Sequence, residues 1–473
     1  MSGKPGAGAG AGPGADERRT ESDSMGEVKI PAWAYWGAQT QRAVENFGVS
    51  EARIPKPMTR ALGLIKRYAA EVNGELGQLD ERIAEAVCRA AEEVIEGRWD
   101  EHFPIDVFQT GSGTSWNMNA NEVIANRANE LLGRPLGTRK PVHPNDHVNR
   151  GQSSNDVIPS AVHIADRREI DGVIDALERL HGAFAAKSRE FADVIKIGRT
   201  HLQDAVPMTL GQELSGFAEQ IRKAAERIRA CRPRLEELAL GGTAVGTGLN
   251  APPEMAERVI ERIGRRTGIP FRVAENRFEA IGCRDAQVEL MGAVNTAAGS
   301  LMKIANDLRL LAGGPRSGLG EIVLPALQPG SSIMPGKINP VIPEMMIQVA
   351  AHLMGKHLAV SVGGQHGPLE LNMMNPLIAY ETLSALALLR ESCLAFAGRC
   401  VEGIEADRER CAQWVEWSLA LATPLALRLG YDRAAELAHE AFERRVTIRE
   451  LVREKGIFSE EELEELLDPR KML

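Results

Sequence analysis

At 473 residues the chain exceeds one ordinary core, and two or three domains are expected. Hydrophobic residues make up 44% of it but aromatics only 4%, with Ala and Leu prominent, a balance that favours long packed helices over sheets. The formal net charge of −9, with both signs dispersed along the chain, argues against a nucleic-acid footprint and leaves any anionic ligand to a local pocket.

Residues 1–24 are Gly/Ala/Pro-rich, then charged, with no apolar core; they read as a disordered leader, with Met25 as an alternative start. Residues 25–150 read as an N-terminal helical domain, with helical periodicity around Leu62, Ile65 and Tyr68 and again around Ile83, Val87, Ala90 and Val94. Within it the run Thr110 to Asn117 breaks on Gly111 and Gly113 and opens into a helix from Met118 to Leu132. Such a turn aims backbone N–H groups and the hydroxyls of Ser112 and Thr114 at one spot, a usual place for an anion, although it also serves as a plain helix entry. His143, Asn145 and Asp146 follow in a polar turn and read equally as ordinary turn residues.

Residues 151–405 read as a central domain of long helices. Pro159, preceded by Ser153, Ser154 and Asn155, marks a helix start whose positive end those three residues occupy, either as caps alone or as ligand contacts. The stripe Ile170, Val173, Ile174, Leu177, Leu180 and Phe184 then breaks near Gly198, where Thr200 and His201 lie in a short polar segment between two buried helices. A lone histidine there is a structural hydrogen-bonder or an acid/base. Thr209 and Gln212 have capping-box spacing and open a helix expected through about Leu238. The uncharged break Gly241 to Asn250 shapes a pocket wall or a tight connection, and the stripe Val288 to Leu311 gives a helix of about 25 residues, roughly 38 Å long.

The segment Gly330 to Glu344 is too rich in Gly and Pro to be regular, yet it carries Ser331, Ser332, Lys337 and Asn339, donors suited to a carboxylate. Pro343 sits near the first helical position of the next helix, which places Glu344 in its first turn, where a carboxylate suits the helix dipole. With the helix after Asn375, about five long antiparallel helices are expected in a bundle, with more apolar surface than one chain can hide and hence subunit association. Residues 406–473, with shorter periods and more charge, read as a small C-terminal helical domain.

The six cysteines form no C-x-x-C pair, no H-E-x-x-H is present, and no apolar run approaches the roughly 18 residues of a membrane span. Reduced thiols, a cytoplasmic location, no structural metal and no membrane association are therefore expected.

Taken together, GSGTSWNMNANEVIANRA, HPNDHVNRGQSSNDVIP, GRTHLQDAVPMTLGQE, GGTAVGTGLN, GPRSGLGE and GSSIMPGKINP resemble the signature set of the fumarase/aspartase superfamily, most closely its class II fumarate hydratases, from about Ile30 to the C-terminus. The resemblance implies a mainly α, three-domain fold and a homotetramer whose central helices form a twenty-helix core, with each active site assembled from three subunits. It implies a small dicarboxylate substrate, no cofactor, and a carbon–oxygen lyase that hydrates fumarate reversibly to L-malate. Carried onto matching positions, Ser331 becomes the base that takes the C3 proton of malate, and His201, paired with Glu344, activates water or protonates the leaving hydroxyl. Ser112, Gly113, Thr114, Ser153, Ser154, Asn155, Thr200, Ser332, Lys337 and Asn339 match substrate contacts, and His143, Asn145 and Asp146 match a secondary dicarboxylate site.

These residue types fit that chemistry. Removing a proton beside a carboxylate leaves a dianionic aci-carboxylate, so fixed donors are needed where the charge develops, each worth about 3–4 kcal/mol. A serine becomes a competent base only when its pKa is depressed by such donors and by exclusion of water. At the position of His201 the related aspartate ammonia-lyases usually carry Gln, which favours the hydratase over aspartate deamination. Val341 to Glu344 looks more like the ammonia-lyases, and Trp116 stands where a small residue is usual. A non-catalytic scaffold of the same fold is the alternative from another class, and it predicts loss of the proton-transfer residues, all of which are present.

Overall fold

The computed structural model describes residues 17–473, and among them the chain is mostly helical, with seventeen α-helices and four small two-stranded sheets. The first sixteen residues of the expected leader lie outside the described residues. The rest of that expectation needs correction, because Arg18–Asp23 is a strand paired antiparallel with Gly26–Pro31. Arg19 fixes this hairpin. Its guanidinium donates to the carbonyls of Pro31, Ala32, Ala34 and Trp36 and to Glu21, so one side chain supplies the long-range contacts that the polar strand sequence lacks.

The chain divides into two compact units, the first made of residues 1–172, 228–294 and 355–387, the second of 173–227, 295–354 and 388–473. In the first, helices Lys56–Glu75, Glu81–Glu96 and Thr114–Leu131 pack on the faces that their apolar periodicity defines, with Leu62, Ile65, Val87, Val94, Val123 and Ile124 in one core. Each such fully buried aliphatic side chain contributes roughly 2 kcal/mol of hydrophobic stabilisation. Trp116, the oversized residue of the Gly-broken turn, is fully buried in the same core. Glu122, also buried, accepts from the backbone N–H groups of Gly37, Gln39 and Thr40, and so satisfies the otherwise open start of helix Ala38–Asn46 from a different helix.

The five long helices stand where their stripes place them, as Ser154–Glu190, Leu210–Arg229, Asp285–Leu311, Val341–Gly364 and Asn375–Arg399. The first begins at Ser154, with Pro159 inside it rather than at its start. The second opens on the expected box, Gln212 N donating to Thr209 Oγ1 at 3.0 Å and Thr209 N to Gln212 Oε1 at 2.9 Å. It ends at Arg229, short of Leu238, and a separate one-turn helix, Arg232–Leu235, carries Pro233 near its start.

The segment bearing Thr200 and His201 differs from the expected polar break. It is a β-hairpin, Ile195–Thr200 paired with Gln203–Thr209, with His201 and Leu202 as its two-residue turn. In the second unit a separate core of Leu421, Leu425, Leu437, Leu451, Val452 and Leu463 holds the C-terminal helices, and Ser459 closes a capping box with Glu462 as its spacing requires.

Candidate active site

The candidate residues fall into two groups, one in each unit. In the first unit, Gly113 adopts φ +75 at the entry of helix Thr114–Leu131, a conformation that suits glycine, and the Ser112 and Thr114 hydroxyls are hydrogen-bonded at 2.8 Å. Ser153 immediately precedes helix Ser154–Glu190: its Oγ accepts from Asn155 N at 3.2 Å, and its own N–H donates to Asp156 Oδ1 at 2.9 Å. The second oxygen of Asp156 accepts from the N–H groups of Gly241 and Thr243, and Asn155 Nδ2 donates to Ala244 O at 2.8 Å. The uncharged Gly-rich break is thus tied to the Ser153–Asn155 helix start through one buried carboxylate. Burial raises the Asp156 carboxyl, against the pull of those three backbone donors and of Lys66.

Behind Ser154 lies a cluster of amides. Asn117 Nδ2 donates to Ser154 Oγ at 3.2 Å, and Asn117, Asn121 and Lys66 all donate to Asn149 Oδ1. Burial pushes the Lys66 ammonium down to about 7, with Asp156 opposing.

His143 acts as a cap. Its Nδ1 accepts from the N–H groups of Asn145 and Asp146, each at 3.2 Å, and its Nε2 lies 2.7 Å from Arg139. Burial first and then the Arg139 charge push the His143 imidazole below its usual value, which favours the neutral ring that this capping geometry requires. Arg139 is thereby a cation beside His143, Asn145 and Asp146.

In the second unit, His201 and Leu202 both have positive φ, 53° and 61°, at a turn whose geometry usually selects Asn and Gly. Two bulky residues held there carry strain of the kind found at functional positions. The first strand of the hairpin is anchored by ion pairs, Lys196 near its base to Glu213 at 3.0 Å and to Glu321 at 3.2 Å, and Arg199 near the turn to Glu321 at 2.9 Å, with Lys196 and Glu321 buried. Thr200 precedes the turn, so its hydroxyl and the imidazole share one end of the hairpin.

Ser331 lies in the irregular loop, where its Oγ accepts two backbone N–H groups, from Ile333 at 3.2 Å and Met334 at 3.0 Å. Donors that converge on a hydroxyl oxygen stabilise its deprotonated form. Gly330 N donates to Lys337 O at 2.7 Å and Asn339 Nδ2 to Gly330 O at 2.8 Å, so the two ends of the loop are pinned together. A cavity of about 370 Å³ is lined by Ser331, Met334, Gly336 and Lys337. Among the described residues the Lys337 ammonium has no acceptor within this chain, and Ser332 and Ile333 are exposed. Glu344 occupies the first turn of helix Val341–Gly364, as its distance from Pro343 implies, with its N–H bonded to Pro340 O. Among the described residues no hydrogen bond or ion pair joins His201 to Glu344 or to Ser331 within the chain.

The motifs assign no role to three supports of the site: Lys66, the Asn117–Asn149 amides, and Glu321 under the hairpin. Asn117, Asn149 and Glu321 lie inside the motifs, whereas Lys66 lies outside them and shows only as a charged residue on the apolar face of Leu62, Ile65 and Ala69.

The family model described as "Lyase" matches residues 26–355, and that described as "Fumarase C C-terminus" matches residues 421–473. A mitochondrial fumarate hydratase of Rattus norvegicus is 53% identical over 458 residues, covering 96% of this chain and 90% of that protein. A class II fumarate hydratase of Methylorubrum extorquens is 50% identical over 458 residues, covering 97% of each. The crystal structure of recombinant class II fumarase from Schistosoma mansoni superposes with a TM-score of 0.93 at 40% identity, over 96% of this chain and 99% of that one. The mitochondrial relative overturns the expectation of a cytoplasmic protein. Unpaired thiols report a reducing aqueous setting without choosing among compartments that share it, so cysteine usage could not support that expectation. Among the described residues no helix is long and apolar enough to cross a membrane.

Proposed function

Because this chain belongs to the class II fumarate hydratase family of lyases, we propose that it hydrates fumarate reversibly to L-malate, with the proton transfers carried by Ser331 and His201. In the dehydrating direction the Ser331 oxygen takes the C3 proton, leaving the aci-carboxylate, and protonated His201 gives a proton to the departing hydroxyl, so fumarate and water result. The observation that carries the assignment is the pair of N–H groups converging on Ser331 Oγ, in a loop whose Lys337 ammonium is free for a carboxylate. Lys337, Ser332 and Asn339 answer the charge that develops beside C3. Ser112, Gly113, Thr114, Ser153, Ser154 and Asn155 form a second anion-binding face at two helix starts, and Thr200 stands beside the imidazole. Glu344 is the carboxylate partner that selects the tautomer of His201. His143, Asn145 and Asp146, with Arg139 beside them, form the secondary dicarboxylate site.

The proposal includes a homotetramer whose active sites combine residues of three subunits, and a division of each subunit at residues 25–150, 151–405 and 406–473. Helix Val341–Gly364 supports the association, since it is apolar on nearly every face yet leaves Leu358 64% and Val362 42% exposed. Apolar residues on such a helix call for cover by further protein.

Absorbance of the fumarate double bond, followed with malate and separately with aspartate in the presence of EDTA, tests the reaction. Turnover of malate without turnover of aspartate is expected. Turnover of aspartate alone would assign the chain to the ammonia-lyases instead.

A further inference from the structure

Lys66 is 0% exposed in the middle of helix Lys56–Glu75, and among the described residues no carboxylate stands within ion-pair distance of it. Its ammonium donates to Asn149 Oδ1 at 3.0 Å and to Gln152 Oε1 at 2.9 Å. In its charged form Lys66 only donates, so both amides turn their oxygens toward it. Their nitrogens then face the backbone, Asn149 Nδ2 donating to Gln152 O at 3.1 Å and Gln152 Nε2 to Val148 O at 3.0 Å.

The fixed Asn149 oxygen propagates this choice. It accepts from Asn121 Nδ2 at 3.1 Å and Asn117 Nδ2 at 3.2 Å, so the nitrogen of Asn117 is also the atom that meets Ser154 Oγ. The opposite atom, Asn117 Oδ1, is buried with no partner among the described residues, so nothing on that side selects the orientation of the amide. With an N–H aimed at its oxygen, Ser154 keeps its single hydroxyl proton for an acceptor elsewhere.

We propose that Lys66 is a positioning residue that sets the hydrogen-bond polarity of the dicarboxylate site, holding the Asn149 and Asn117 amides so that the Ser154 hydroxyl donates to a substrate carboxylate. The inference rests on the reading of Ser154 as a substrate contact. Without the ammonium, the orientation of the Asn149 amide rests on its single bond to Gln152 O, and a reversal that gives up this bond carries Asn117 with it. Asn117 Oδ1 then takes the Ser154 proton, and the hydroxyl presents a lone pair to an anion.

The test is steady-state kinetics on malate for the wild type, K66M, K66R and S154A, and for K66M combined with S154A. K66M is expected to raise KM about tenfold, the scale of one charge-assisted hydrogen bond, with kcat held within about twofold. K66R, which also only donates, is expected to restore most of the affinity, and K66M is expected to add nothing to S154A. An unchanged KM in K66M, a K66R as weak as K66M, or an equal K66M effect with and without the Ser154 hydroxyl would each overturn the inference. If the wild type does not turn over malate, it is the hydratase reading that fails. The polarity claim is then read from calorimetric binding of succinate to the same variants, where equal affinity of wild type and K66M would refute it.

Discussion

Ser331→Ala is expected to lower kcat for malate by roughly three to four orders of magnitude, at the upper end of what a positioned general base contributes, while KM changes little. The reason is local. Two backbone donors converge on Ser331 Oγ, and with that hydroxyl gone the loop holds no other oxygen so supported to receive the C3 proton. The anion-binding donors Lys337 and Asn339 are untouched, so ground-state affinity should survive. Stability should also survive, because the loop is open to solvent and a substitution there ordinarily costs less than about 0.5 kcal/mol. Exchange of the malate C3 hydrogen with deuterated solvent, read by NMR, isolates the step and should vanish in the variant. Exchange at the wild-type rate would move the base to another residue.

His201→Asn is expected to lower kcat by roughly 10²–10⁴ with the fold intact. Asn is the informative replacement because position 201 has φ 53°, a left-handed conformation that Asn tolerates better than most side chains. The hairpin therefore keeps its turn, and what is lost is the exchangeable ring proton. The ion pairs of Glu321 with Lys196 and Arg199 along the first strand remain in place, so the thermal midpoint should not fall. Turnover equal to that of the wild type would remove the assigned role of His201.

These expectations lean on features that the sequence reveals unevenly. The five long helices are legible because their apolar stripes run for many turns, and the caps at Thr209 and Ser459 are legible because a capping box is a local, fixed-spacing device. The hairpin carrying His201 is not legible. Its strands are short, and its turn lacks the Asn-Gly or Asp-Gly pair that marks a two-residue connection. The strand Arg18–Asp23 is hidden for a related reason: it is polar throughout, and the contacts that order it come from the Arg19 side chain reaching carbonyls up to seventeen residues away.

At the site, the hydroxyl- and amide-rich helix entries are visible as breaks in periodicity. What supports them is tertiary. The Asp156 carboxylate joins two segments 85 residues apart, and Lys66 reaches an amide 83 residues away, pairings that no local spacing encodes.

The sharing of each active site among subunits is tested most directly by reassembling an equal mixture of the S331A and H201N proteins after dissociation. If a site draws Ser331 from one subunit and His201 from another, random reassembly gives about a quarter of the sites both intact groups, and activity should recover to that fraction of the wild type. A reassembled mixture that stays as inactive as its two components would contradict it.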